Sequence, residues 1–232
     1  MIEIVQAGQS GKTRLLFDMH RLRSRIFKER MGWNVSIDEA GLEVDDFDIP
    51  EAVYFLALDD NQRVIGSWRL LPTTGPTMIR DVWPEFLTSL PMPRSPMIWE
   101  ASRFGVNSLS ASVREGLHQV SRATAELFCA LTETCILCGI DEVYTLYDAR
   151  IARLIKRLDC TPKDISESMP IDGRECKIGR FITDSEMLSR IKKSAGIQKS
   201  LVTEASLPPI LTELRNVVGR TQETPQEFCH AI

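Results

Sequence analysis

Apolar residues recur along the chain with two periods, and the switching between them lays out the elements. Residues 2–5 are a short apolar run that predicts an opening strand. Over residues 12–30, Leu15, Leu16, Met19, Leu22, Ile26 and Phe27 fall at helical spacing with basic residues between them. An amphipathic helix is predicted there, ended by Met31-Gly32-Trp33. Residues 34–50 lose the period and gather Glu39, Glu43, Asp45, Asp46 and Asp48, closed by Pro50; such an acidic loop is ordinarily solvated surface. Residues 54–58 and 64–71, joined by Asp59-Asp60-Asn61-Gln62, read as a β-hairpin, and Pro72-Thr73-Thr74-Gly75-Pro76 breaks it. Pro91, Pro93 and Pro96 mark a loop before residues 97–106, which read as a central strand.

The longest helix is predicted next. Ser112 and Glu115 make a capping box, and Val113, Leu117, Val120, Thr124, Leu127, Leu131, Cys135 and Cys138 form its buried stripe up to Gly139. Residues 143–147 predict a strand, and Asp148 caps a helix through Leu158 whose Ile151, Leu154, Ile155 and Leu158 face inward. Arg150, Arg153 and Arg157, with Lys156 beside them, then share a basic outer face. Residues 177–182 predict a strand, followed by a helix from a Thr183/Glu186 capping box to Gly196. Pro208-Pro209 and a polar end predict a loosely attached tail with a short helix near 210–218. A hairpin feeding a central strand, then strand–helix crossovers, describes an α/β fold with a mixed central sheet flanked by helices.

Composition narrows the function classes. The 232 residues fit one large domain, 43% hydrophobic content suffices for a core, and a net charge of -4 disfavours nucleic acid as a partner. No run approaches the roughly 18 apolar residues of a membrane span, and the N-terminus lacks a signal-peptide core, so no membrane insertion and a cytoplasmic location are expected. Cys135-Ile-Leu-Cys138 has metal-like spacing, but no second pair follows and the segment reads as helical. Cys129, Cys135, Cys138, Cys160, Cys176 and Cys229 are therefore read as core thiols, and no metal site is expected. His20, His118 and His230 adjoin no obvious nucleophile, which disfavours a His-dependent triad.

The candidate chemistry lies in the first half of the chain. Residues 97–106 place Glu100 and Arg103 in otherwise apolar company, where an unpaired charge is costly. Arg23, Arg69 and Arg103, acids Asp45, Asp48 and Glu100, and the aromatics Phe27 and Trp33 suit a ligand carrying a carboxylate, an ammonium and a further cation. Singly, each has a duller explanation: a structural ion pair for Glu100 and Arg103, core packing for the aromatics, a solvated helix residue for Arg23.

Four motifs in order, residues 23–33 (RSRIFKERMGW), 41–48 (GLEVDDFD), 66–76 (GSWRLLPTTGP) and 99–104 (WEASRF), closely resemble the acyl-homoserine-lactone synthases, the autoinducer synthases of quorum sensing. The resemblance covers roughly residues 1–195 and implies a synthase domain over 1–197 with a C-terminal extension over 198–232. It implies a fold related to the thioester-dependent N-acyltransferases. S-adenosylmethionine and an acyl thioester are implied as consumed substrates, with no cofactor. Arg23, Phe27, Trp33, Asp45, Asp48 and Arg103 match the family's adenosylmethionine site, and Arg69, Glu100 and Arg103 its catalytic positions. Glu100 is the candidate general base, and backbone N–H groups near Ser102 to Phe104 are candidate oxyanion donors. The resemblance also turns the basic face of Arg150, Arg153, Lys156 and Arg157 into a docking site for an acidic acyl carrier protein, the alternative being coenzyme A phosphates.

Two departures bear on the acyl pocket, which is expected to include Trp68, Trp83, Ser102, Phe104 and Thr145. Trp68 stands where the family more often has a small residue, and Trp83 where a phenylalanine is usual; both leave chain length open. An acetyl-CoA-dependent N-acetyltransferase is a competing reading, weakened because residues 106–112 contain no glycine for a pyrophosphate loop. A non-catalytic ligand-binding relative is another, weakened by the intact set of arginines and acids.

Overall fold

Runs rich in β-branched and aromatic residues build one eight-stranded sheet in the order β1-β2-β3-β4-β5-β8-β6, with β7 also paired to β8. The computed structural model describes residues 1–107 and 120–222. In chain order the strands are β1 (Ile2–Gln6), β2 (Val53–Leu58), β3 (Val64–Pro72), β4 (Ile98–Val106), β5 (Glu142–Asp148), β6 (Asp164–Ile165), β7 (Met169–Ile171) and β8 (Arg174–Ile182). The helices are α1 (Thr13–Arg23), α2 (Met78–Val82), α3 (Arg122–Cys138), α4 (Ala149–Arg157), α5 (Ser185–Ala195) and α6 (Pro209–Gln222). The expected mixed sheet between helices is present, and among the described residues its one parallel ladder joins β4 to β5. Helix α2, a 3₁₀ turn over Pro84–Thr88 and the short β6 and β7 were not predicted.

Alternation along the strands sorts side chains onto two faces. Val53, Phe55, Leu70, Trp99, Ala101 and Val143 enter one core with α3 and α5, while Tyr54, Leu56 and Leu71 enter a second core beneath α1. Helix α1 continues as a π-helical turn over Ser24–Arg30, which seats Ile26 and Phe27 against the sheet. Gly105 permits that approach, since a Cβ there would lie 2.9 Å from Ile26 Cδ1.

Two irregularities in the sheet shape the site. The β4–β5 ladder extends only from Ile98↔Glu142 to Ala101↔Thr145, although β4 runs on to Val106 and β5 to Asp148. The strands part beyond Ala101 and leave a gap. Opposite, β3–β4 pairing steps from Ser67↔Gly105 to Arg69↔Ser102, so Arg103 and Phe104 together face Trp68 in a β-bulge. Arg103 has φ 55, a left-handed conformation that costs a non-glycine residue about 1–3 kcal/mol. The bulge shifts the strand's phase, so Arg103 joins Glu100 and Ser102 on the α1 face while Phe104 turns to the α3 face.

The caps correct two boundaries. Helix α3 begins at Arg122, because Ser121 is extended and its hydroxyl accepts the Thr124 N–H at 3.3 Å, a cap closer to the apolar stripe than Ser112. Val120 precedes that helix, and Ser112, Val113, Glu115 and Leu117 lie outside the described residues. Helix α5 is capped by Asp184, which accepts from Met187 N at 2.7 Å, while the Thr183 hydroxyl instead donates to the Ile140 carbonyl. The predicted cap at Asp148 is present, accepting from Arg150 and Ile151.

The chain after residue 197 is anchored rather than loose through its described part. Leu211 of α6 is fully buried against α3, and one Glu133 oxygen accepts the Leu201 and Val202 N–H groups at 2.7 and 3.0 Å while the other meets Lys192 at 2.6 Å. The polar composition hid this because few side chains carry the attachment. Replacing Glu133 by Ala strands two backbone donors and is expected to lower unfolding free energy by about 2–3 kcal/mol in chemical denaturation; a change below about 0.5 kcal/mol contradicts that attachment.

Candidate active site

Six charged side chains meet on the α1 face of the sheet. Arg23 ends α1, Arg69 stands mid-β3, and Arg103 comes off the bulge in β4. Glu43, Asp45 and Asp48 belong to the acidic loop, which folds inward rather than out into solvent. Asp38 accepts from the Ala40 and Leu42 N–H groups, Glu43 N donates to the His20 carbonyl, and buried Phe47 plugs the loop into the core. Glu39 and Asp46 remain exposed.

The pairing is reciprocal. Arg23 grips Asp48 with both terminal nitrogens at 2.6 and 3.1 Å and donates through Nε to Glu43. Arg69 holds Asp45 at 2.5 and 3.2 Å, also reaches Asp48 at 3.0 Å, and donates through Nε to Ser102 Oγ at 3.1 Å. Arg103 contacts Glu43 Oε1 at 3.1 Å and Asp45 Oδ2 at 2.7 Å. Tyr54 adds a hydroxyl hydrogen bond to Asp48 at 2.8 Å. Three guanidinium groups and three carboxylates sum to zero, and bidentate geometry compensates their desolvation. Arg23, expected as a solvated helix residue if it had no role, is fully buried.

Burial alone would raise the Asp48 carboxyl, but Arg23 and then Arg69 outweigh it and hold it well below the usual range. Asp45 is likewise lowered, with Arg69 and Arg103 opposing its burial. Arg23 is raised, its carboxylate partners overcoming desolvation, whereas burial pulls Arg103 below its ordinary value.

Glu100 stands outside this network. It is 1% exposed, and its two oxygens accept the N–H groups of Met78 and Ile79 at 3.1 and 2.8 Å, the first residues of α2. Burial pushes its carboxyl up to about 7, opposed by those N–H groups and by Arg69.

A cavity of about 830 Å³ runs through the gap between β4 and β5. On the α1 face Asp45, Glu100, Ser102 and Arg103 form its polar wall. On the α3 face Phe104, Thr124, Tyr147 and Ile151 form an apolar one. Arg23, Arg69, Glu43 and Asp48 sit behind the wall. Phe27 and Trp33 stack at 5.1 Å and 9°, with the Arg103 guanidinium 5.6 Å from the Phe27 ring centre and that of Arg174 5.8 Å from the Trp33 ring centre. Trp68, Trp83, Ser102, Phe104 and Thr145 all line the cavity, and Thr145 Oγ1 donates to the Ala101 carbonyl at 2.8 Å where the ladder ends. Among the described residues no cluster of His, Cys, Asp and Glu is placed to hold a metal, and all five described cysteines are buried thiols.

Arg153, Lys156 and Arg157 lie exposed on α4, away from the polar wall, while Arg150 borders the cavity and is tied to Asp148 at 2.8 Å. Sequence reasoning missed Glu43 as an interior acid and Arg174 at the cavity wall. The Ile37↔Glu43 bridge that turns Glu43 inward leaves no periodic trace, although the acid density of residues 34–50 was a signal.

The model of the autoinducer synthases matches residues 9–191. A probable acyl-homoserine-lactone synthase of Sinorhizobium fredii is 32% identical over 181 residues, covering 78% of this chain and 86% of that protein. An acyl-homoserine-lactone synthase of Pseudomonas aeruginosa is 38% identical over 159 residues, covering 66% and 76%. Among solved structures, the synthase LasI superposes with a TM-score of 0.69 at 30% identity, covering 88% of this chain and 97% of that one. The coenzyme-A-dependent synthase BjaI, solved with S-adenosylmethionine and isopentyl-CoA, shares the fold with a TM-score of 0.74 at 23% identity over 93% and 99%. With the family's span matched from the first helix to α5, this chain belongs to the autoinducer synthases.

Proposed function

We propose that this protein makes an N-acyl-homoserine lactone, acylating the amine of S-adenosylmethionine from an acyl thioester and then closing the lactone with release of methylthioadenosine. The observation that carries the reading is Glu100: a buried carboxyl poised near neutral pH, in a cavity wall that also carries Asp45, Ser102 and Arg103. The substrate amine enters as an ammonium and must lose a proton before it attacks. Glu100 takes that proton, directly or through one water, since each oxygen keeps a lone pair beyond its backbone hydrogen bond.

The nitrogen then adds to the thioester carbonyl, the carbon–sulfur bond breaks, and the thiol leaves with a proton. Past Ala101 β4 has no β5 partner, and a backbone N–H on that open edge suits the developing oxyanion. In the second step a carboxylate oxygen of the acylated intermediate attacks the carbon beside the sulfonium. That carbon–sulfur bond breaks and methylthioadenosine departs. Arg103 suits the substrate carboxylate and Asp45 its positive end; Phe27 and Trp33 offer rings for the adenosyl group. Arg23, Arg69, Glu43 and Asp48 act as positioning residues. Both substrates are consumed and no further cofactor is required by this chemistry; a supply of acyl thioesters made inside the cell supports a cytoplasmic location.

Acyl carrier protein is favoured over coenzyme A as donor because Arg153, Lys156 and Arg157 present an exposed basic strip on α4, beside the cavity rim at Arg150. The described chain has no helix long and apolar enough to cross a membrane.

Mass spectrometry of the purified protein with S-adenosylmethionine and acyl thioesters is expected to find acyl-homoserine lactone and methylthioadenosine in equal amounts; S-adenosylhomocysteine as the coproduct overturns the reading. Glu100→Gln is expected to lower kcat by about 10²–10⁴-fold while S-adenosylmethionine still binds in calorimetry. Full turnover by that variant removes Glu100 from the base role.

The same group predicts two pH dependences. Since Glu100 must be ionised to act, kcat/KM is expected to rise as pH passes through about 7. Its folded pKa is raised above the unfolded value near 4.3, so the folded chain holds the extra proton between those pH values, and stability from this group falls as pH climbs through that window. Glu100→Gln should flatten this slope in denaturation measured from pH 5 to 8; an unchanged slope contradicts the assignment. Finally, Arg153→Glu with Arg157→Glu is expected to raise KM for acyl carrier protein about tenfold or more without changing S-adenosylmethionine affinity, and an unchanged KM refutes docking on α4.

A further inference from the structure

The apolar end of the main cavity stops at a wall, and on the other side of that wall is a second cavity. This smaller space, about 30 Å³, lies between the sheet and helices α3, α4 and α5, lined by Phe128, Leu131, Val143, Cys160, Phe181 and Met187 with almost no polar surface. Trp68, Thr145 and Ile151 border both spaces. Trp68 supplies the bulk of the partition. Its ring lies edge-on to Phe104 at 5.1 Å and tilted against Phe128 at 4.6 Å, directly opposite the bulge in β4.

Hydrogen bonding does not account for a tryptophan at this place. The indole Nε1 is buried and finds no acceptor among the described residues, so the ring contributes volume and carries an unmet donor with it. We infer that Trp68 is the stop that sets the length of the acyl chain: the chain passes from the polar wall through the gap in the sheet and ends against the indole. The dry space behind it is the continuation of the same channel, closed by this one side chain.

This rests on the acyltransferase reading above, and the experiment separates the two. The purified protein is given S-adenosylmethionine and straight-chain acyl thioesters from four to fourteen carbons on both acyl carrier protein and coenzyme A, and kcat/KM is measured for each length. Shortening the partition with Trp68→Leu opens the rear cavity, and the preferred chain should lengthen by about two carbons, the ratio of kcat/KM for the longer over the original chain rising about tenfold. Ile151→Ala opens the partition from α4 and should move the optimum in the same direction, which carries the test if Trp68→Leu does not fold. Wild-type activity with an unchanged length optimum in the folded variants overturns the partition while leaving the acyltransferase reading intact. A wild type that acylates S-adenosylmethionine from none of the donors overturns the acyltransferase reading itself, and the partition with it.

Discussion

Three guanidinium groups within hydrogen-bonding reach of the same few atoms repel one another strongly in a dry interior, and Arg23, Arg69 and Arg103 are held together only because Glu43, Asp45 and Asp48 are interleaved among them. Each acid touches at least two arginines, and each arginine at least two acids. The lattice ties the end of α1, the acidic loop, the middle of β3 and the bulge of β4 to one another. Its members differ in exposure: Asp45 and Arg103 reach the cavity and the other four do not. The buried four thus fix the direction in which the accessible two point, which is the preorganisation a site needs when two substrates must meet in attack geometry.

Sheet geometry supplies the complementary half. Without the bulge, strand alternation would send Arg103 toward α3 with Ala101, away from the acids. With it, Glu100, Ser102 and Arg103 share a face, and Phe104 replaces Arg103 on the apolar side. The left-handed backbone at Arg103 is stabilised by the ion pairs its side chain gains, so lattice and bulge depend on each other. The parting of β4 from β5 then opens a passage between a polar face and an apolar face. One end suits a charged nucleophile and the other an acyl chain.

Much of this was legible in the residues. The hairpin, the central strand, the apolar stripe of α3 from Thr124 to Cys138 and the Asp148 cap follow from period and capping chemistry, and the structure has all four. The site residues were gathered by resemblance more than by physics, because Arg23 alone reads as an ordinary helix arginine and the acidic loop alone reads as solvated surface. What decided their burial is mutual neutralisation across more than twenty residues of sequence, which no local pattern encodes. The π-helical turn, the bulge and Glu43's inward turn were illegible for the same reason: each is a local irregularity imposed by a distant contact. The start of α3 was misplaced because the Ser112 capping box matched the rule while Ser121 sat nearer the stripe.

The most direct test of the lattice is a double-mutant cycle on stability. Chemical denaturation of wild type, Arg69→Met, Asp45→Asn and the pair compares an interior of unbalanced charge with one restored to neutrality. If neutrality governs the site, Arg69→Met costs about 3–5 kcal/mol and the double variant recovers at least about 1 kcal/mol of it. A double variant whose loss equals the sum of the two single losses contradicts the account.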